Sequence, residues 1–159
     1  MRNWRRAVVA ASLGLFALLM ASGTARAQED AIRKLVGEEY DKAMAAGDVS
    51  AKMRLYTADA VLMPPEGPAV SGQEAIRLWH EALFKKGTSP GVSKVEEIQV
   101  FGEWGFARGT FSGTVTLKPG APPTSVSENW LVIVQRQSDG SWKIARDIWT
   151  QELQSAKTK

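Results

Sequence analysis

The 159-residue chain has no cysteine and a single histidine, His80. Without cysteine there is no disulfide, thiolate metal ligand, thiol nucleophile or lipidated cysteine. One histidine leaves no multi-histidine zinc site within a chain. No glycine-rich nucleotide fingerprint, nucleophile elbow or metal-ligand spacing occurs, so neither cofactor nor metal is expected. Long apolar runs are also scarce. The run from Ala7 to Met20 is fourteen residues, short of the ~20 that span a bilayer.

What surrounds that run gives it a meaning. Arg2, Arg5 and Arg6 precede it, and Ala25-Arg26-Ala27 follows before Gln28. A charged start, an apolar middle and a small-residue end form a secretory signal with cleavage after Ala27. Adjacent Arg5 and Arg6 leave a twin-arginine route open beside the general one. Residues 1–27 are therefore expected to be removed, leaving 28–159 as a single periplasmic or secreted domain with no stable membrane insertion. The whole chain carries +3; losing the four arginines of the signal leaves 16 basic residues against 17 acidic, a net of −1. The basicity belongs to the signal, and nucleic acid is not an expected partner.

The remaining pattern predicts helices first and strands after. Ile32, Val36, Tyr40 and Ala43 place one apolar face on a helix over 30–46, ended by Gly47. Asp48 caps a short helix through Tyr56. Ala60 to Met63 reads as a short strand, Glu66 to Ser71 as a loop, and Gln73 to Lys86 as a third helix. Strands are expected over 94–100, 106–117, 125–136 and 142–150, with a proline-rich connection over 118–123. Asp139-Gly140 makes the last two a hairpin. The fold class is α+β, a curved antiparallel sheet packed by three N-terminal helices.

Three stretches carry a resemblance: A-M-A-A-G-D-V-S-A-K-M-R-L-Y-T-A-D-A-V-L-M-P, S-G-Q-E-A-I-R-L-W and D-G-S-W-K-I-A-R-D-I-W. Over about residues 30–152 the chain resembles the nuclear transport factor 2-like superfamily, in its SnoaL-like and ketosteroid isomerase-like branch. The resemblance implies a cone enclosing an apolar pocket, and a homodimer formed through the sheet. It also implies a steroid isomerase triad of tyrosine, base and protonated aspartic acid. Tyr40 falls on the tyrosine. The base falls on Pro64 and the acid near Leu131 or Val132, so that mechanism is not expected here.

Other groups could supply chemistry. Glu39 lies near Tyr40 in the first helix's stripe, and Glu66 lies two residues past Pro64. His80 sits in the third helix's apolar stripe, with an ordinary pKa near neutrality. These four, Tyr40, His80, Glu39 and Glu66, are the candidate catalytic residues. Met44, Met63, Trp79, Arg108, Asp147 and Trp149 are candidate pocket residues. Alternation leaves open whether Arg108 and Asp147 face inward, and it puts Trp142 and Trp149 on opposite faces of the last strand. The ligand expected is a small apolar or aromatic molecule. Two functions stand beside each other: a binding protein, and a cofactor-free acid–base enzyme acting on a small carbonyl compound, such as an isomerase, cyclase or dehydratase.

Overall fold

A computed structural model describes residues 24–115 and 123–151. Most of the expected signal segment, the end of the strand expected over 106–117 and all but the last residue of the expected proline-rich connection lie outside them. The first helix, α1, runs without a break from helical residues 24–33 through a π-helical turn at Lys34–Glu39 into an α-helical part at Tyr40–Ala46. The wider π turn admits an extra residue. Ile32, Leu35, Val36 and Ala43 stay buried and Tyr40 half-buried, while Glu39 is carried off the stripe. Gly47 ends the helix at φ 63°, a left-handed conformation that disfavours a side chain.

Helix α2, Val49–Leu55, is held at its start by Asp48, whose Oδ1 accepts from the Ala51 amide at 2.9 Å. Tyr56 leaves the helix and opens strand β1, Tyr56–Met63. Helix α3 spans Gln73–Lys86. The other strands are β2 (Val70–Ser71), β3 (Gly91–Phe101), β4 (Trp104–Val115), β5 (Thr124–Arg136) and β6 (Trp142–Gln151).

They form one six-stranded sheet in the order β2-β1-β6-β5-β4-β3. The sheet is mixed, not wholly antiparallel, because β1 lies parallel to β6. Strand β2 pairs with β1 where the sequence pattern predicts only loop; two residues are too few to show periodicity. Register shifts in β3, β6 and β1 accompany the sheet's curvature, and the sheet does not close.

Helices cover the inner face, where Ile32, Leu62, Ile76, Val134 and Ile144 are fully buried. On β4 the inward positions are small. A Cβ at Gly109 would come within 2.6 Å of Trp130 Cζ2, so the indole needs a glycine beneath it. The β3 edge is partly covered by α1. Asp41 accepts from Ser93 N at 2.6 Å and Oγ at 2.7 Å, and Arg33 donates to the Val95 carbonyl at 3.2 Å. These contacts occupy an edge that would otherwise be open to another strand.

Candidate functional site

The register of β6 decides which of its side chains enter the core. Trp142 and Ile144 face inward, and strict alternation would send Arg146 and Ile148 after them. Instead Val134 pairs with Ile144 and Ile133 with Arg146, so Ala145 is an extra residue in the ladder. The bulge reverses the phase. Asp147 and Trp149 turn inward, Ile148 turns outward, and Trp142 and Trp149 share a face.

Asp147 is 2% exposed, and two hydroxyls converge on its Oδ2. Tyr56 donates at 2.5 Å and Tyr40 at 3.2 Å. Neither hydroxyl bonds Oδ1. Burial pushes the Asp147 carboxyl above its ordinary value, against the field of Lys52 and the two hydroxyl donors. Both tyrosines are held well above theirs, by burial first and then by the Asp147 charge. They remain proton donors throughout the physiological range.

Lys52 completes the group. It is fully buried on α2, its Nζ lies 2.8 Å from the centre of the Tyr40 ring and 5.3 Å from that of Tyr56. Among the described residues no hydrogen-bond partner meets that nitrogen. Burial holds the amine well below the usual lysine range.

Aromatic rings adjoin this cluster. Trp130 pairs in register with Trp149, one inward position along β6 from Asp147, and its buried Nε1 is unpartnered. Trp149 meets Trp79 edge-on at 5.9 Å, and Trp79 meets His80 at 5.0 Å. His80 is 1% exposed and also lies near Phe84 and Tyr56. Among the described residues neither of its ring nitrogens has a hydrogen-bond partner. Burial, with the nearby Lys52, drives its pKa down to about 2, so it stays neutral and is a poor proton shuttle at pH 7. Half-buried Glu128, opposite Gln151, is also raised by burial.

Of the residues singled out from sequence, the structure brings Tyr40, His80, Trp79, Asp147 and Trp149 into this interior. It does not bring Glu39, which is exposed and pairs with Lys34 at 3.7 Å. Glu66 is exposed in the loop after β1. Arg108 lies on the outer face, bound to Glu97 at 2.7 Å and Glu96 at 3.1 Å. Met63 shares the outer face with Ile148, its partner in register. Met44 is half-buried on α1.

Surface clefts lie elsewhere: one of about 760 Å³ beside Met53, Gln73 and Leu78, another of about 570 Å³ beside Leu35, Arg54 and Trp142. Neither is lined by Tyr40, Tyr56, His80 or Asp147. Among the described residues, no cluster of three or more histidine, aspartate or glutamate side chains could hold a metal ion. None of their helices is long and apolar enough to cross a membrane.

Sequence reasoning missed Lys52 and Tyr56, and the signal for both was present. Val49, Lys52, Met53 and Tyr56 follow the i, i+3, i+4, i+7 spacing of a buried helix face. A lysine within such a stripe marks an unusual buried amine.

A mixed sheet wrapped on three helices, with polar groups at its core, defines a cone-shaped α+β fold. The chain belongs to the SnoaL-like domain family, whose profile matches residues 37–146, within the nuclear transport factor 2-like superfamily. Among solved structures it is similar to a ketosteroid isomerase-like protein from Erwinia carotovora atroseptica: 26% identity, 79% of this chain, 93% of that one, TM-score 0.68. It is also similar to a scytalone dehydratase-like protein from Novosphingobium aromaticivorans: 13% identity, 83% and 89% coverage, TM-score 0.74. A third is a nuclear transport factor 2-like superfamily protein from Salmonella enterica serovar Typhimurium: 13% identity, 86% and 99% coverage, TM-score 0.70. The two at 13% identity share the fold alone. No curated protein matches the chain.

Proposed function

We propose that the chain is an exported, homodimeric protein that binds a small apolar or aromatic molecule bearing one polar oxygen, inside the cone and against Asp147. The observation that carries this reading is the asymmetry of the carboxyl group. Oδ2 holds two tyrosine hydroxyls, while Oδ1 accepts from neither and lies on the sheet face that also carries Trp130 and Trp149. A ligand's apolar body would pack on the indoles, and its hydroxyl or carbonyl would meet Asp147 or a tyrosine hydroxyl. Half-buried Tyr40 and Trp149 are the side chains that must yield on entry. The outer face supports the dimer. Leu131 pairs with Ile148, Ile133 pairs with Phe106, and Leu131, Ile133 and Ile148 are each more than a third exposed. Export rests on the signal pattern in residues 1–27.

Native mass spectrometry of protein from the periplasm, with thermal shift against small aromatic and lipophilic compounds, tests the reading. A retained ligand or a saturable shift is expected, lost in Asp147→Asn. No ligand and no shift across the panel contradicts it.

A second reading is acid–base catalysis on a small carbonyl compound, by isomerisation, cyclisation or dehydration. It is favoured by the raised carboxyl of Asp147 beside two tyrosine donors. Asp147 would take a proton from the carbon next to the carbonyl while a tyrosine hydroxyl held the developing oxyanion. Steroid isomerisation by a base at residue 64 is not part of it, since that residue is Pro64. Solvent-deuterium incorporation into bound carbonyl compounds distinguishes an enzyme from a binder.

A further inference from the structure

Lys52 is the buried reactive group that neither reading uses. It is fully buried, and it makes no hydrogen bond and no ion pair within 4.0 Å among the described residues. An ammonium in that position would lose hydration worth several kcal/mol. The Tyr40 ring beneath it and the charges of Asp147 and Asp41 favour the ammonium, and burial outweighs them. The neutral amine therefore wins. It can point an N–H at the ring and keeps its lone pair. Its backbone is fixed in α2, where the Lys52 amide donates to the Asp48 carbonyl at 3.0 Å. The rings of Tyr40 and Tyr56 flank the nitrogen, and their hydroxyls run to Asp147. The amine thus lies against the rings of the two tyrosines whose hydroxyls hold Asp147.

We propose that Lys52 is a nucleophile that condenses with the carbonyl of a small apolar or aromatic aldehyde or ketone to form an imine. The proposal rests on the small-molecule reading above and names its substrate class. In the addition, the Nζ lone pair forms a bond to the carbonyl carbon as the C=O π pair moves to oxygen. One amine proton passes to that oxygen, giving a carbinolamine. The C–O bond then breaks, and the oxygen leaves as water with the second amine proton. Amine and carbonyl compound become imine and water, with no oxidant or reductant. The hydroxyls of Tyr40 and Tyr56, which donate to Asp147 and do not bond Nζ at rest, are the proposed relay for these protons. Protonation of the imine acidifies the adjacent carbon, which an isomerisation or dehydration requires.

Reductive trapping tests this. The purified protein is incubated separately with benzaldehyde, phenylacetaldehyde and acetophenone plus cyanoborohydride, then mapped by peptide mass spectrometry. The expected adduct is the carbonyl compound less one oxygen. It should form on Lys52 at least tenfold faster than on exposed Lys42 or Lys94, and be absent in Lys52→Met. The pH profile separates a nucleophile from a structural cation. Between pH 7 and 9, condensation at an amine that must first lose its proton rises with pH. Labelling of Lys52 should stay nearly flat. Tyr40→Phe should slow labelling at Lys52 and leave the surface lysines unchanged. Labelling of Lys52 no faster than the surface, with saturable quenching of tryptophan fluorescence by the same compounds, overturns the nucleophile and spares the binding site. Neither labelling nor quenching overturns both.

Discussion

Asp147 and His80 are both almost wholly buried in the same interior, yet their surroundings are opposite. Asp147 has two hydroxyls on one oxygen, supplied by elements far apart in the chain. His80 has three aromatic rings around it and no partner for either nitrogen. Donors assembled around a carboxyl mark a group whose charge and proton the fold manages. A histidine among rings, with its pKa driven far down, behaves as a flat packing element. The residue whose ordinary pKa suits proton transfer is here the inert one, and the ordinarily acidic residue is the focus of the site.

The largest expected effect comes from breaking the Asp147 side of this contrast. Tyr56→Phe removes the 2.5 Å donor from a carboxyl that is almost wholly buried. It should cost about 1.5–3 kcal/mol while the carboxyl is charged, when the bond is strongest. The cost should shrink as falling pH protonates the carboxyl, whose pKa burial raises. Urea unfolding of both proteins at pH 8 and pH 4 measures it.

His80 gives the next effect, and its pH dependence has the opposite sign to that of Asp147. Because the folded pKa of His80 is depressed, its unfolded form takes the proton first. Stability is full above ~6.5 and falls by up to about 1.4 kcal/mol per pH unit as pH drops toward the folded value of about 2. For Asp147 the folded pKa is raised. Its contribution is fully present below ~3.9 and is lost as pH rises through the raised value. His80→Phe should remove the acid-side slope between pH 6.5 and 5 and be neutral or stabilising at pH 7, since two unpartnered nitrogens disappear. A steeper acid-side slope in that variant would show His80 to be a proton-binding group.

Tyr40→Phe removes the longer, half-buried bond and should cost about 1 kcal/mol by the same unfolding assay. Smallest of all, Glu39→Ala and Glu66→Ala should shift stability by less than about 0.5 kcal/mol, as exposed side chains do, and leave ligand binding unchanged. A loss of binding in either would return that residue to the site.

The order of elements was legible in the sequence because apolar spacing and turn residues are local signals. The Gly47 terminus, the Asp48 cap, the third helix at Gln73–Lys86 and the Asp139-Gly140 turn all rest on neighbouring residues. The site was legible only in part. Glu39 follows a regular helical stripe, and the π turn at Lys34–Glu39 moves it out. The face that Asp147 and Trp149 occupy depends on the bulge at Ala145, which shows itself only in pairing with β5. The parallel pairing of β1 with β6 joins segments some eighty residues apart, and no spacing within either strand announces it. Lys52 was readable, since it interrupts an apolar stripe.

The central claim is that Asp147, not His80 and not the surface clefts, receives the ligand. A crystal structure of the mature protein soaked with the strongest compound from the thermal-shift panel tests it most directly. The account predicts the compound inside the cone, its oxygen within ~3 Å of Asp147 Oδ1 or a tyrosine hydroxyl and its apolar body on Trp130 and Trp149. A compound seated instead in the cleft beside Met53, Gln73 and Leu78, with the Asp147 cluster unchanged, would contradict it.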